Sequence, residues 1–169
     1  MRNQRDPESA IRNLKPCGFS IRNPQSEINM SLTIRNATNP DMPAIVRMIG
    51  EFHLDYENLQ PEQFIVVEDG ELMVGFGRLK PYPDATELGC VGVLHERRKQ
   101  GIGKLIVDEL IRRGPSTIWI TTDLPDYFRP LGFKEVDHVP RSIKKKLDRF
   151  RDFARGKIVA MRYDKTVDS

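Results

Sequence analysis

The chain has 169 residues, 38% hydrophobic and 30% charged, with a formal net charge of +3. That is enough for one domain with a real core, and too little excess charge to imply nucleic acid as a partner. Its apolar runs, such as Leu105–Val107, cannot cross a bilayer, and Cys17 and Cys90 are too isolated for a metal knuckle or a disulfide framework.

The start of the chain has no apolar stretch of signal-peptide length, so a reduced, cytoplasmic protein is expected, with no membrane partner. Residues 1–30 carry Pro, Asn, Ser and scattered charge without periodicity, which predicts a flexible extension before a domain over 31–165. The tripeptide Ile-Arg-Asn recurs at Ile11, Ile21 and Ile34, which is too short to define a repeat.

SLTIRNA reads as a first strand, and NPDMPAIVRMIGEFH as a helix with Ile45, Met48, Ile49 and Phe52 on one face. QFIVVEDGELMVGFGRLK predicts two strands joined at Asp69-Gly70, a strong hairpin signal. PYPD is expected to break the chain before the strand ATELGCVGVL. A helix follows from about Gly101 to Arg113, with Ile102, Leu105, Ile106 and Leu110 on one face, and Gly114-Pro115 ends it. STIWITT is a buried strand, LPDYFRPL a short helix and GFKEV another strand. The segment from Arg141 to Lys157 has eight Lys or Arg against two Asp, with Ile143, Leu147, Phe150 and Ala154 at helical spacing. KIVAMRYD closes a mixed α/β sheet. The basic face reads first as solvated; exposed aromatic or base-reading groups are missing beside it, so no specific nucleic acid is expected.

The loop RRKQGIG carries the first chemical signal. A basic run leads into Gly101 and Gly103, and a helix starts at once. Glycine lets the main chain approach a ligand, and a helix N-terminus offers unpaired N–H groups and partial positive charge. That order suits a phosphate. Lys104 is followed by Leu105, which excludes a Walker A loop, and Ile106 stands where a dinucleotide fingerprint needs a third small residue.

The run ELGCVGVLHERRKQGIGKLIVDEL resembles the acetyl-CoA-binding motif of the GNAT superfamily of N-acetyltransferases, with Arg98, Gly101 and Gly103 on its defining positions. Leu94-His95 stands where His-Pro is often found. The resemblance implies a mostly antiparallel central sheet of about seven strands flanked by helices. It implies that main-chain N–H groups among Arg98, Lys99, Gln100, Gly101, Ile102, Gly103 and Lys104 cradle the pyrophosphate. Val91, Gly92 and Val93 would pair with the pantetheine arm. Tyr127, in DYFRPLGF, falls where relatives carry a Tyr that protonates the departing thiolate; packing beside Phe128 is the other reading. Glu87 is the candidate base, sharing a face with Val91 unless a bulge intervenes; an exposed strand-end carboxylate is the other reading. Cys90 reads as a small buried hydrophobe, and His53, His95 and His138 make no metal site.

TELGCVGV and ITTDLPDYFRPLGFKEV are similar to the acetyltransferase domain of N-acetylglutamate synthase, which implies direct transfer to a small amine acceptor such as glutamate. A homodimer stays open, and the competing class is a non-catalytic acyl-CoA-binding regulatory module.

Overall fold

The computed structural model describes residues 32–152 and 156–166. The extension expected over 1–30 and Ala154 of the basic segment lie outside the described residues.

Seven strands form one sheet in the order β1-β2-β3-β4-β5-β7-β6. They are β1 (Leu32–Asn36), β2 (Phe64–Asp69), β3 (Leu72–Tyr82), β4 (Ala85–Val93), β5 (Thr117–Thr122), β6 (Lys134–Glu135) and β7 (Val159–Asp164). Each neighbouring pair is antiparallel except β4 and β5, which run parallel. Four α-helices accompany them among the described residues: α1 (Met42–Glu51), α2 (Ile102–Arg113), α3 (Pro125–Phe128) and α4 (Arg141–Arg151).

The two faces of the sheet are covered by different helices because each helix is apolar along one stripe only. On one face α2 buries Ile102, Ile106, Val107 and Leu110 against Ile65, Val67, Val74, Leu88, Ile118 and Ile120. At about 1.5–3 kcal/mol for each fully buried aliphatic side chain, this stripe alone contributes roughly 6–12 kcal/mol to the gross apolar term. On the other face α1 sets Ile45, Met48 and Ile49 against Phe64, Val66, Phe76 and Cys90. Beside it α4 sets Ile143 and Leu147 against Trp119 and Ala160.

PYPD does not interrupt the sheet as expected. β3 runs through Pro81 to Tyr82, Tyr82 pairs with Ala85, and only Pro83-Asp84 turns. β2 pairs with β3 no further than Arg78, so Pro81 lies where one edge of β3 is free and its missing N–H costs no ladder bond there.

Arg35 of β1 clamps the start of α1. Its guanidinium donates to both Asp41 oxygens at 2.8 and 2.9 Å and to both Glu68 oxygens at 3.1 and 2.6 Å. The Arg35 hydrogen bonds hold the Asp41 carboxyl well below the usual carboxylate range. A depressed folded-state pKa stabilises the protein above the unfolded value of about 3.9, and that contribution is lost as the pH falls below it. Arg35 is partly solvated, so the pair is worth about 1 kcal/mol. Asp41→Asn should therefore lower stability at pH 7 by about 1 kcal/mol and flatten the acid decline below about pH 4. Thermal unfolding across that range is the check, and parallel curves for the two proteins would reject the assignment.

Candidate active site

The site begins with an irregularity in β4. Phe76 pairs with Gly92 and Arg78 with Gly89, so β4 takes three steps where β3 takes two. Cys90 absorbs the extra residue with φ 46°, a left-handed conformation uncommon for a residue with a Cβ. The bulge reverses the alternation. Val91 and Val93 pack with Leu88 toward α2, whereas Cys90 packs toward α1. Strict alternation from Glu87 would have given Val91 that residue's face, and the bulge overturns it. Glu87 points to the α4 side, where it meets Lys146, and Cys90 lies on that side too.

Past this point β4 and β5 diverge. Their register holds one pair, Glu87 opposite Trp119, so the main chain of β4 beyond it has no β5 partner. A cleft of about 270 Å³ opens between them, lined by Gly89, Cys90 and Val91 on one wall and Ile120, Thr121 and Thr122 on the other.

At the same end of β4 stands the N-terminus of α2. Gly101 caps it at φ 82° with no side-chain hydrogen bond, and Lys99 is also left-handed at φ 60°. The first helical bond runs from the Leu105 N–H to the Gly101 carbonyl at 3.0 Å. The N–H groups of Ile102, Gly103 and Lys104 precede it and have no acceptor within the helix. A Cβ at Gly101 would meet nothing within 4 Å, so glycine is needed there for its φ and not for space. The loop side chains turn aside. Arg98 Nε donates to the Val93 carbonyl at 3.2 Å and its guanidinium lies over Phe52 at 5.1 Å. Arg97 binds Gln100 Oε1 at 3.0 Å and Asp69 at 2.8 Å, and Lys104 pairs with Asp108.

Gly103 faces Tyr127. A Cβ there would come within 2.6 Å of the Tyr127 hydroxyl, so the phenol tip rests on the bare first turn of α2. Tyr127 is 44% exposed, sits edge-on to Phe128 with ring centroids 5.0 Å apart, and makes no side-chain hydrogen bond among the described residues. Partial burial pushes its pKa up, with Asp108 adding to the rise and Lys104 opposing it.

Glu87 is not an exposed carboxylate. It is 1% exposed; its Oε2 accepts from Lys146 Nζ at 2.8 Å and from the Tyr82 hydroxyl at 3.2 Å, while Oε1 is buried without a hydrogen bond. Lys146 lines the cleft and also lies 3.1 Å from Asp55 Oδ2. Asp55 is in turn 3.7 Å from Lys80 and 3.4 Å from Arg149, and Glu57 pairs with both Lys80 and Arg149. Burial opposes ionisation of Asp55, but Lys146, the Glu57 N–H and Lys80 outweigh it and hold the carboxyl below its usual range.

The family model of the acetyltransferase (GNAT) family matches residues 32–133. The chain belongs to that family. That family is one of acetyltransferases. Among solved structures the chain is similar to N-acetylglutamate synthase from Neisseria gonorrhoeae complexed with coenzyme A and N-acetyl-glutamate, with a TM-score of 0.68 and 18% identity over 80% of this chain and 35% of that one. The chain therefore spans about a third of that enzyme's length. A Mycobacterium tuberculosis protein in complex with CoA and NLQ gives a TM-score of 0.63 at 22% identity, covering 79% of this chain and 99% of that one. The ribosomal-protein-S18-alanine N-acetyltransferase from Escherichia coli gives 0.57 at 18%, covering 82% and 96%. At such identities the likeness is one of fold. No curated protein matches the chain in sequence.

The GNAT acetyltransferase gathers more polar groups at its cleft than its motifs announce. Asp55, Thr121 and Lys146 went unread in the sequence. Asp55 sits in an irregular stretch after α1 with no pattern around it. Lys146 had a signal: it lies three residues after Ile143 and four before Phe150, on the apolar stripe of α4, where a lysine needs a buried partner. Among the described residues no helix is long and apolar enough to cross a membrane.

Proposed function

We propose that the enzyme moves the acetyl group directly from acetyl-CoA to the primary amine of a small, carboxylate-bearing acceptor, with the α-amine of glutamate as first choice. The observation that carries the reading is the edge of β4 without a β5 partner, beside a start of α2 that no side chain caps. Val91, Gly92 and Val93 would hold the pantetheine arm through main-chain hydrogen bonds. The loop Arg98, Lys99, Gln100, Gly101, Ile102, Gly103 and Lys104 would receive the pyrophosphate on its N–H groups, with Arg98 bracing the end of β4. Holding both reactants in one cleft replaces a bimolecular encounter by an oriented one.

In the transfer the amine nitrogen bonds to the acetyl carbon and the C–S bond breaks, its electron pair leaving on sulfur. Tyr127 gives its phenolic proton to that sulfur. The nitrogen gives up one proton, and Glu87 is the proposed base. Glu87 does not line the cleft, so it would act at one remove, past Lys146.

Support for a carboxylate-bearing acceptor comes from the similarity to N-acetylglutamate synthase and from Arg149, beside a depression sharing Leu54, Asp55 and Phe150 with the cleft. The basic helix contributes less free charge than its composition suggested, because Lys146 and Arg149 are paired with Asp55, Glu57 and Glu87. A charge-assisted hydrogen bond to the acceptor carboxylate is worth about 1.5–3 kcal/mol. Esterifying that carboxylate should therefore cost about ten- to a hundredfold in kcat/KM. Glutamate, aspartate, their esters, spermidine and a lysine-bearing peptide are to be compared at fixed acetyl-CoA. A faster rate with spermidine or the peptide would overturn the amino-acid assignment.

A further inference from the structure

This inference rests on the acetyl-transfer reading and concerns the acceptor end of the cleft. We infer that Asp55 Oδ2 and Thr121 Oγ1 form the subsite that takes the N–H groups of the acceptor amine. Both residues line the cleft; Thr121 Oγ1 is buried without a hydrogen bond among the described residues, and Asp55 Oδ2, buried as well, has the Lys146 ammonium at 3.1 Å and leaves its other lone pair to the cleft. Buried oxygens of this kind are rare, because a polar atom removed from water loses its hydrogen bonds unless a partner replaces them. A primary amine supplies donors of the required kind. The Asp55 side chain is only 9% exposed, so the shortfall is not met from bulk solvent.

The remaining contacts hold the carboxylate in place. Oδ1 accepts from the Glu57 N–H at 3.1 Å and from Arg149 Nη2 at 3.4 Å. The Cys90 thiol donates to the Asp55 main-chain carbonyl at 3.3 Å, tying this loop to the bulge in β4. Oδ1 therefore has two donors within the protein, while Oδ2 has the ion-pair contact to Lys146 at 3.1 Å and Lys80 further off at 3.7 Å. Thr121 reaches the cleft from the opposite wall, on β5.

The charges around Asp55 decide which form of the amine fits. Lys80, Lys146 and Arg149 surround it and are balanced by Asp55, Glu57 and Glu87. A protonated amine would add a cation beside Lys146, whereas a neutral amine brings donors without charge. The subsite thus favours the form that has a lone pair to attack the thioester. The two oxygens orient the N–H bonds and leave that lone pair free.

The test uses Thr121→Val, Thr121→Ser and Asp55→Asn with L-glutamate, spermidine and a lysine-bearing peptide as acceptors. Thr121→Val should raise the KM of the acceptor that the wild type acetylates about tenfold, and Thr121→Ser should restore it. Asp55→Asn should raise that KM ten- to a hundredfold. The KM for acetyl-CoA should stay within twofold throughout, and thermal unfolding confirms that each variant is folded. If Asp55→Asn does not fold, the two Thr121 variants decide the matter. An unchanged acceptor KM in folded Thr121→Val overturns the subsite, as does an equal rise in the KM for acetyl-CoA. If the wild type acetylates none of the three amines, the acetyl-transfer reading fails and the subsite falls with it. If it acetylates one and the variants keep its KM, the subsite alone is wrong.

Discussion

Tyr127→Phe should lower kcat about a hundredfold while leaving the affinity for acetyl-CoA nearly unchanged. The phenol has one property the phenyl ring lacks, a proton at the end of a side chain already resting on the first turn of α2. A phenol whose pKa is raised stays protonated at neutral pH, so it has a proton to give to the sulfur as negative charge develops there. Burial keeps Tyr127 protonated beyond the ordinary tyrosine range of about 10, so the basic limb it causes should lie above that value. Glu87→Gln should lower kcat about a hundredfold, because an amide cannot take the proton that the amine gives up. The pH–rate profiles of wild type and both variants make one measurement. A Tyr127→Phe enzyme within twofold of wild type would return Tyr127 to packing against Phe128, and a Glu87→Gln enzyme within twofold would reject Glu87.

Arg78→Met should cost about 3–5 kcal/mol of stability and loosen the segment before β2. Arg78 is 1% exposed, and its guanidinium reaches Gln63 Oε1 at 2.8 and 2.6 Å, the Glu57 carbonyl at 2.8 Å and the Asn58 carbonyl at 2.6 Å. Its charge also lies over Phe64 at 5.4 Å. Methionine fills the volume and supplies no donor, so those oxygens lose their partner at about 1–3 kcal/mol each, partly recovered by water entry. Arg78→Lys should lie between the two, since one ammonium cannot span what a planar fork spans. Denaturant unfolding gives the stability change, and hydrogen exchange over residues 55–63 reports the loosening. A loss below about 1 kcal/mol would show that the loop is held by other contacts. Asp55 lies only two residues before Glu57, so the acceptor KM should rise in the same variant.

The sheet was legible in the sequence because its signals are local. Asp69-Gly70 between two apolar runs, the period of Ile102, Ile106 and Leu110, and Gly114-Pro115 after Arg113 depend on neighbours within one or two turns of chain. The strand–loop–helix turn was legible for the same reason: Gly101 sits at positive φ before the helix that follows, and both depend on one short loop. Periodicity could not locate the bulge at Cys90, since a positive φ leaves no trace in a run such as ELGCVGV. Its consequence is that Glu87 and Val91 lie on opposite faces, the outcome expected only if a bulge intervenes.

The proposed acceptor end depends on tertiary structure alone. Asp55 follows α1, Glu87 is on β4, Thr121 on β5 and Lys146 on α4, four segments brought together only when β4 and β5 part and α4 covers that face. Burial turns these ordinary residue types into a site. In water each would be solvated and independent. Inside the cleft, each must find a partner, and hydrogen-bond geometry determines which oxygens are left to a ligand.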